Sequence, residues 1–162
     1  MEKKIMKKLF AFVVTLILAA GMMGNSVMAA SKGFVFKYYG VSVTMNGEAA
    51  KLIQKSGKPN KTNVKKSCAY EGKDRTYEYD NFILYTYSHS DNGSEYIGGI
   101  TFLNDKVKTK EGIKIGSSYD DMVKKYGKGE NNYGIYIFKK GNSEIQIEIK
   151  DNKVNNLRYL AK

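Results

Sequence analysis

The 162-residue chain contains one cysteine, one histidine, one proline and no tryptophan. A single cysteine cannot form a disulfide within the chain, so no covalent framework holds the fold. One histidine and one cysteine also supply too few ligands for a structural zinc site and too few groups for a nucleophile–base pair. The composition therefore favours a protein without a metal, a cofactor or an enzymatic activity.

Tyrosine and positive charge, by contrast, are abundant. The chain has 13 tyrosines, is 42% hydrophobic and carries a formal net charge of +11. Aromatic side chains suit the half-buried surface of a sheet, and this apolar content is typical of a folded domain. Net positive charge favours solubility and encounters with anionic partners without conferring specificity.

The first 29 residues have the layout of a secretory signal peptide. Four lysines precede an apolar run from Leu9 to Met23, and Val27 and Ala29 occupy the two positions that define a cleavage site. The apolar run is shorter than the roughly 20 residues that a membrane-spanning helix needs. We therefore predict cleavage after Ala29, export from the cell, and a released chain with no transmembrane segment.

Export narrows the range of partners. Removal of residues 1–29 leaves 23 basic and 15 acidic groups, which is a net charge of +8. An exported protein does not meet nucleic acid as a regular partner, whereas wall polymers and lipid headgroups are the abundant polyanions outside a bacterial cell. The alternative is that the charge serves solubility alone.

Sequence landmarks in residues 33–105 recur in the same order in residues 106–162. Residues 40–43 (GVSV) correspond to 112–115 (GIKI), and each is followed by a helical pattern that ends at a glycine, Gly57 or Gly127. Three strand-like runs then follow in each copy. The predicted strands are 76–79, 82–87 and 96–102 in the first copy and 133–138, 144–149 and 154–160 in the second.

These landmarks predict the architecture. Asn46 and Ser117 are positioned to cap the two helices. The strand 144–149 alternates isoleucine with polar residues, so one of its faces is exposed to solvent. We therefore predict an α+β fold of two tandem units, each a helix packed on a three-stranded antiparallel meander, with the helices on one face of the sheet and the other face open. The apolar stripe of the second helix comprises Tyr119, Met122, Val123 and Tyr126.

Tandem helix-plus-meander units behind a signal peptide resemble the β-lactamase-inhibitor-protein (BLIP-like) fold, and a single unit resembles the SmpA/BamE family of envelope-assembly lipoproteins. The segments 67–74 (SCAYEGKD), 77–82 (YEYDNF) and 109–116 (TKEGIKIG) also resemble small exported or lipid-anchored proteins of Gram-positive bacteria whose role is uncharacterised. The resemblance implies a sheet face that binds protein. Inhibition of a β-lactamase and outer-membrane assembly are not implied, because the disulfides of the inhibitors and the lipid-bearing cysteine of the lipoproteins are missing here.

The open sheet face is the leading candidate for a binding site. If Phe82 and Leu84 face the helices, neighbouring tyrosines point the other way, and tyrosine among short polar groups is typical of a binding patch. The alternative is that these tyrosines only stabilise the sheet through cross-strand pairs. The residues predicted to form the protein-binding face are Tyr85, Tyr87, Glu78, Arg158, Gln146 and His89.

Residues 58–66 are predicted to be a long loop. Its lysines are candidate contacts to an anion, with simple solvation as the alternative. The candidate anion contacts are Lys58, Lys61, Lys65 and Lys66.

Cys68 is expected to be a small buried hydrophobic residue, with an intermolecular disulfide or a reactive thiol as alternatives. A catalytic pair with His89 is not favoured, because no nucleophile motif surrounds either residue. We predict a secreted, non-enzymatic module that binds an extracellular or envelope protein. The alternative is a basic protein retained at the cell surface by anionic wall polymer or membrane.

Overall fold

The computed structural model describes residues 33–162, and the predicted signal peptide lies outside these residues. The chain forms ten strands and two helices within this range. In chain order they are β1 Val35–Tyr38, β2 Val41–Thr44, α1 Ala50–Ser56, β3 Lys61–Lys66, β4 Lys73–Glu78, β5 Phe82–Ser88, β6 Glu95–Phe102, α2 Tyr119–Tyr126, β7 Glu130–Asn132, β8 Ile135–Lys140, β9 Ser143–Lys150 and β10 Lys153–Ala161.

Eight of the strands form one antiparallel sheet in the order β3-β4-β5-β6-β10-β9-β8-β7, and β1 and β2 form a separate hairpin. The predicted α+β fold of two helix-plus-three-stranded units is therefore wrong. Residues 33–162 are mostly β, with 48% strand and 12% helix. Pairing of β6 with β10, which sets Thr101 opposite Arg158, joins the strands of both halves of the chain into a single sheet. The division into residues 33–105 and 106–162 stays a prediction.

The six predicted strands are present, with shifted ends, as β4, β5, β6, β8, β9 and β10. The sequence analysis did not predict the hairpin strands β1 and β2. It also missed β3 and β7, the two edge strands, because neither has an apolar face. Every residue of both strands is exposed. Residues 58–66 were therefore wrongly predicted to be a loop, since residues 61–66 pair with β4 along their whole length. Period-2 alternation reveals a half-buried strand but not a polar edge strand.

The helices end as predicted but begin differently. Gly57 and Gly127, both with positive φ, follow the two helices. The cap of α2 is Ser118 rather than Ser117, and its Oγ accepts a 3.0 Å hydrogen bond from the Asp121 amide. Asn46 does not cap α1, which begins after Ala49 without a side-chain cap.

One hydrophobic core lies on a single side of the sheet, beneath the β1–β2 hairpin and the two helices. The fully buried Phe36 of β1 brings its ring within 5.5 Å of the Phe82 ring and 5.9 Å of the Tyr159 ring, measured between centroids. Leu52 of α1 and Met122 of α2 are also fully buried in this core. Burying a side chain of this size contributes about 1.5–3 kcal/mol, which explains how such short helices are held in place.

Candidate functional site

The face of the sheet turned away from the core carries most of the predicted binding residues. In β5, Phe82, Leu84 and Thr86 are buried while the residues between them are not. Residues that pair across an antiparallel sheet share a face, so the register extends this second surface from strand to strand. We call it the open face; it includes Asp74, Thr76, Glu78, Tyr85, Tyr87, Thr101, Gln146 and Arg158.

Tyr85 and Tyr87 lie over a part of β6 that has no side chains. The register shifts between Tyr85 and Thr86, which leaves Gly98 as the extra residue of a β-bulge. A Cβ at Gly98 would lie 3.6 Å from Tyr87 Cδ1, and one at Gly99 would lie 3.6 Å from Tyr85 Cδ2. The two rings therefore pack against glycine backbone, and a depression of about 350 Å³ opens beside them.

Tyr87 belongs to a group of rings in contact that we call the aromatic cluster, formed by Tyr70, Tyr87, His89 and Tyr96. The Tyr70 ring stacks on the Tyr87 ring with 5.0 Å between centroids. The His89 ring meets the Tyr70 ring edge to face at 4.5 Å and lies 5.4 Å from the Tyr96 ring. His89 is thus held at the end of β5 by aromatic contacts rather than projecting freely from its loop.

The Tyr87 hydroxyl fixes the cluster to the rest of the protein. It donates a 3.0 Å hydrogen bond to Oδ1 of Asn46, in the turn between β2 and α1. Burial raises the pKa of the Tyr87 phenol, and the neighbouring phenols of Tyr70 and Tyr96 raise it further. Tyr87 is therefore an anchored residue, whereas Tyr85, with 38% of its surface exposed, is the tyrosine available to a partner.

Arg158 and Gln146 form a second part of the open face. Arg158 Nε and Nη2 donate hydrogen bonds of 2.8 and 2.6 Å to Gln146 Oε1, which orients the guanidinium across β9 and β10. These residues line a depression of about 230 Å³. Glu78 shares the face but lies three strands from Arg158, which is about 14 Å at ordinary strand spacing. The predicted residues thus share one surface without forming one pocket.

The candidate anion contacts lie along the edge of the sheet. Lys61 and Lys65 are on the open face, opposite Glu78 and Asp74, and Lys66 points to the other side. Lys65 Nζ is 4.0 Å from Asp74 Oδ2, an exposed pair of small energetic value. Lys58 is exposed before the strand.

Cys68 is exposed, so the prediction that it is a buried hydrophobic residue is wrong. It lies in the turn that joins β3 to β4, where Ser67 and Gly72 are buried instead. The Ser67 amide donates a 3.0 Å hydrogen bond to the Gly72 carbonyl and closes this turn. The apolar neighbours of Cys68 in the sequence therefore do not indicate its burial.

A polar cluster on the core side of the sheet was not predicted. Glu95 accepts hydrogen bonds from Tyr77 Oη at 2.9 Å and Thr86 Oγ1 at 2.7 Å, and its Oε1 lies 3.6 Å from Arg75 Nε. Burial and the hydrogen bond to Glu95 raise the pKa of Tyr77 to about 12. The cluster joins β4, β5 and β6, so we interpret it as structural rather than as a binding site.

Sequence reasoning also missed Tyr70, Tyr96 and the Gly98-Gly99 pair. The glycine pair carried a usable signal, because a glycine inside a strand pattern indicates a bulge or a close backbone approach. Tyr96 could have been found once the β5–β6 register placed it opposite Tyr87. Tyr70 lies in a turn without periodicity, so no pattern in the sequence points to it.

Two further structural findings concern metals and membranes. Within residues 33–162, no three histidine, cysteine, aspartate or glutamate side chains are grouped closely enough to hold a metal ion. Neither α1 nor α2 is long and apolar enough to span a membrane.

Comparison of the chain with known protein families, with curated proteins and with solved structures finds no match. The resemblance to the BLIP-like fold and to the SmpA/BamE family stays a prediction.

Proposed function

We propose that the protein is an exported, non-enzymatic binding module whose open face recognises another extracellular or envelope protein. The observation that carries this proposal is that Tyr85 is exposed on a sheet face, where its ring packs on the backbone of Gly99, with Arg158 on the same face. Tyrosine and arginine are the side chains that most often dominate the binding energy of protein interfaces. Tyrosine also offers a large contact area at low cost in rotamer entropy.

The shape of the face supports a protein partner over a small molecule. The depressions beside Tyr85 and Arg158 are shallow and separate, and they hold about 350 and 230 Å³. A small-molecule site is usually a single concave pocket that buries most of its ligand. A broad surface with an anchored aromatic cluster at one end and an oriented guanidinium near the other suits a partner that spans several strands.

Replacement of Tyr85 by alanine tests the proposal. The immobilised protein is used to capture partners from culture medium and from an envelope extract. We expect Tyr85→Ala to weaken capture about tenfold or more, as for a residue that contributes at least 1.4 kcal/mol of binding energy. Tyr133→Ala is the matched control, because Tyr133 is a fully exposed tyrosine in the turn between β7 and β8. Equal capture by both variants, with unchanged circular dichroism, would exclude the open face.

The alternative function is retention on an anionic wall polymer or membrane, and it is favoured by the exposed lysines of β3 and the region before it. Exposed charge interactions are screened over about 8 Å at physiological ionic strength, so such binding must weaken steeply with salt. The same capture experiment decides between the two, since binding through Tyr85 survives a high-salt wash. Release of the protein from isolated cell walls by salt, without any effect of Tyr85→Ala, would favour the polymer.

A further inference from the structure

The segment from α1 through β3 carries charge of one sign only. No aspartate or glutamate occurs between Glu48 and Glu71, and all the charged side chains in this interval are lysines. Each of them is exposed. The six lysines are Lys51, Lys55, Lys58, Lys61, Lys65 and Lys66.

β3, which carries three of these lysines, is the terminal strand of the sheet and has no neighbour on its outer side in the described part of the chain. It pairs with β4 along residues 61–66 without a bulge. It contains no proline, and its only aliphatic side chain, Val64, is 56% exposed. A strand of this length and regularity is a template for a further strand.

The hydrogen-bond directions show which backbone groups of β3 are free. The Ser67 amide donates inward to Gly72, and the amide of Lys73, the partner of Lys66, donates away from β3 to Ser88 Oγ. Because backbone groups alternate in direction along a strand, the N–H and C=O groups of Val64 and Lys66 point to the outer edge. A strand added outside β3 could form an antiparallel or parallel ladder of hydrogen bonds with these N–H and C=O groups.

The side chains of β3 set the charge that a new strand must carry. Lys66 lies opposite Lys73, a like-charge pair that is unfavourable across a sheet. Lys73 Nζ lies 3.4 Å from Asp91 Oδ1, and Lys65 Nζ lies near Asp74 Oδ2. By contrast, Lys61 and Lys66 form no ion pair among residues 33–162. Acidic side chains on an added strand would meet these lysines on both faces of the sheet.

We propose that β3 accepts an extended, acidic peptide segment of a partner protein by strand addition. The backbone edge distinguishes this partner from a polyanion such as wall phosphate, because a polymer without amides can pair with lysines but cannot complete a backbone ladder. The proposal concerns a different surface from the open face and does not depend on Tyr85.

The test measures how tightly a fluorescent peptide binds the protein without its predicted signal peptide, residues 30–162. The peptide has about eight residues and alternates glutamate with valine. Val64→Pro removes one outward N–H while leaving the β3–β4 ladder intact, because proline is tolerated where a strand edge faces solvent. We expect Val64→Pro to weaken peptide binding about tenfold, which corresponds to one lost backbone hydrogen bond. Val64→Thr, which keeps the N–H and the strand propensity, is the matched control and should bind as the native protein does.

Two further probes are used, and the first of them decides the outcome even if Val64→Pro fails to fold. The first is the same peptide with alternate backbone amides methylated, which keeps the charges and removes the ladder; it should bind native protein at least about tenfold more weakly. The second is inorganic polyphosphate, whose binding Val64→Pro should not change. Equal affinity for the methylated and unmethylated peptides would overturn the proposal and leave only a charged surface that binds any polyanion.

Discussion

Replacement of Glu95 by glutamine removes a charge from the polar cluster that joins β4, β5 and β6, while keeping the size of the side chain. In the native protein, both Tyr77 and Thr86 donate to Oε2 of Glu95, and Arg75 faces Oε1. A glutamine oxygen at the Oε2 position can still accept both hydroxyls. Its NH₂ group would then face the guanidinium of Arg75, a donor against a donor.

The magnitude follows from these contacts. Hydrogen bonds to a charged acceptor contribute about 1.5–3 kcal/mol, against about 0.5–1.5 kcal/mol for a neutral one, so each hydroxyl loses about 1 kcal/mol. Arg75 and Glu95 have only 16% and 22% of their side chains exposed, so solvent compensates little for the lost partner. We expect Glu95→Gln to lower the free energy of unfolding by about 2–3 kcal/mol and the melting temperature by about 10 °C.

Thermal and urea unfolding followed by circular dichroism measure this loss. Glu78→Gln is the matched control, since Glu78 is an exposed glutamate on β4, and its change should stay within about 0.5 kcal/mol. A double-mutant cycle of Glu95→Gln with Arg75→Met should show a coupling of about 1 kcal/mol. If Glu95→Gln costs no more than Glu78→Gln, the cluster does not stabilise the sheet and the reasoning is refuted.

Two more predictions concern the same half of the sheet. Because the pKa of Tyr77 is raised from 10.0 to about 12, the folded protein keeps a proton that the unfolded chain loses. Its free energy of unfolding should therefore fall between pH 10 and pH 12. Urea unfolding at a series of pH values measures this fall, and Tyr77→Phe should make it shallower. An unchanged slope in the variant would contradict the prediction. A Cβ at Gly72 would overlap the Ser88 carbonyl, so Gly72→Ala should cost about 1–3 kcal/mol. Gly98→Ala, which makes only ordinary contacts, should cost less than about 1 kcal/mol in the same unfolding assay, and equal losses would refute the steric argument.

The alternation of apolar and polar residues predicted the interior strands because each of these strands has one face in the core and the other face towards solvent. Strands β5 and β9 bury Phe82, Leu84, Ile145 and Ile147 on one face, and a period of two also assigns their remaining residues to the other. For this reason Tyr85, Tyr87 and Gln146 could be assigned to one surface before the pairing of the strands was known. Helix ends were predictable from Gly57 and Gly127 by the same kind of local physics.

The fold class was not predictable from these patterns. Which strands pair depends on contacts between residues that are distant in the sequence. Thr101 of β6 pairs with Arg158 of β10, which lies in the other predicted unit. The edge strand β3 has no buried residue, so hydrophobic periodicity cannot reveal it. Cys68 shows the same limit on a smaller scale, because it is exposed in a turn that a backbone hydrogen bond closes, despite its apolar neighbours in the sequence.

The two edges of the sheet are kept from uncontrolled association by different means. The edge strand β7 has only three residues, which leaves a short template. The other edge, β3, is regular and six residues long, and its lysines oppose pairing with a second β3 because like charges would meet along the new ladder. The same lysines favour a strand of opposite charge. A partner that offers an acidic extended segment to β3 and an apolar surface to Tyr85 would therefore be selected by charge at the edge and held by contact area on the open face, and neither surface alone would supply both properties.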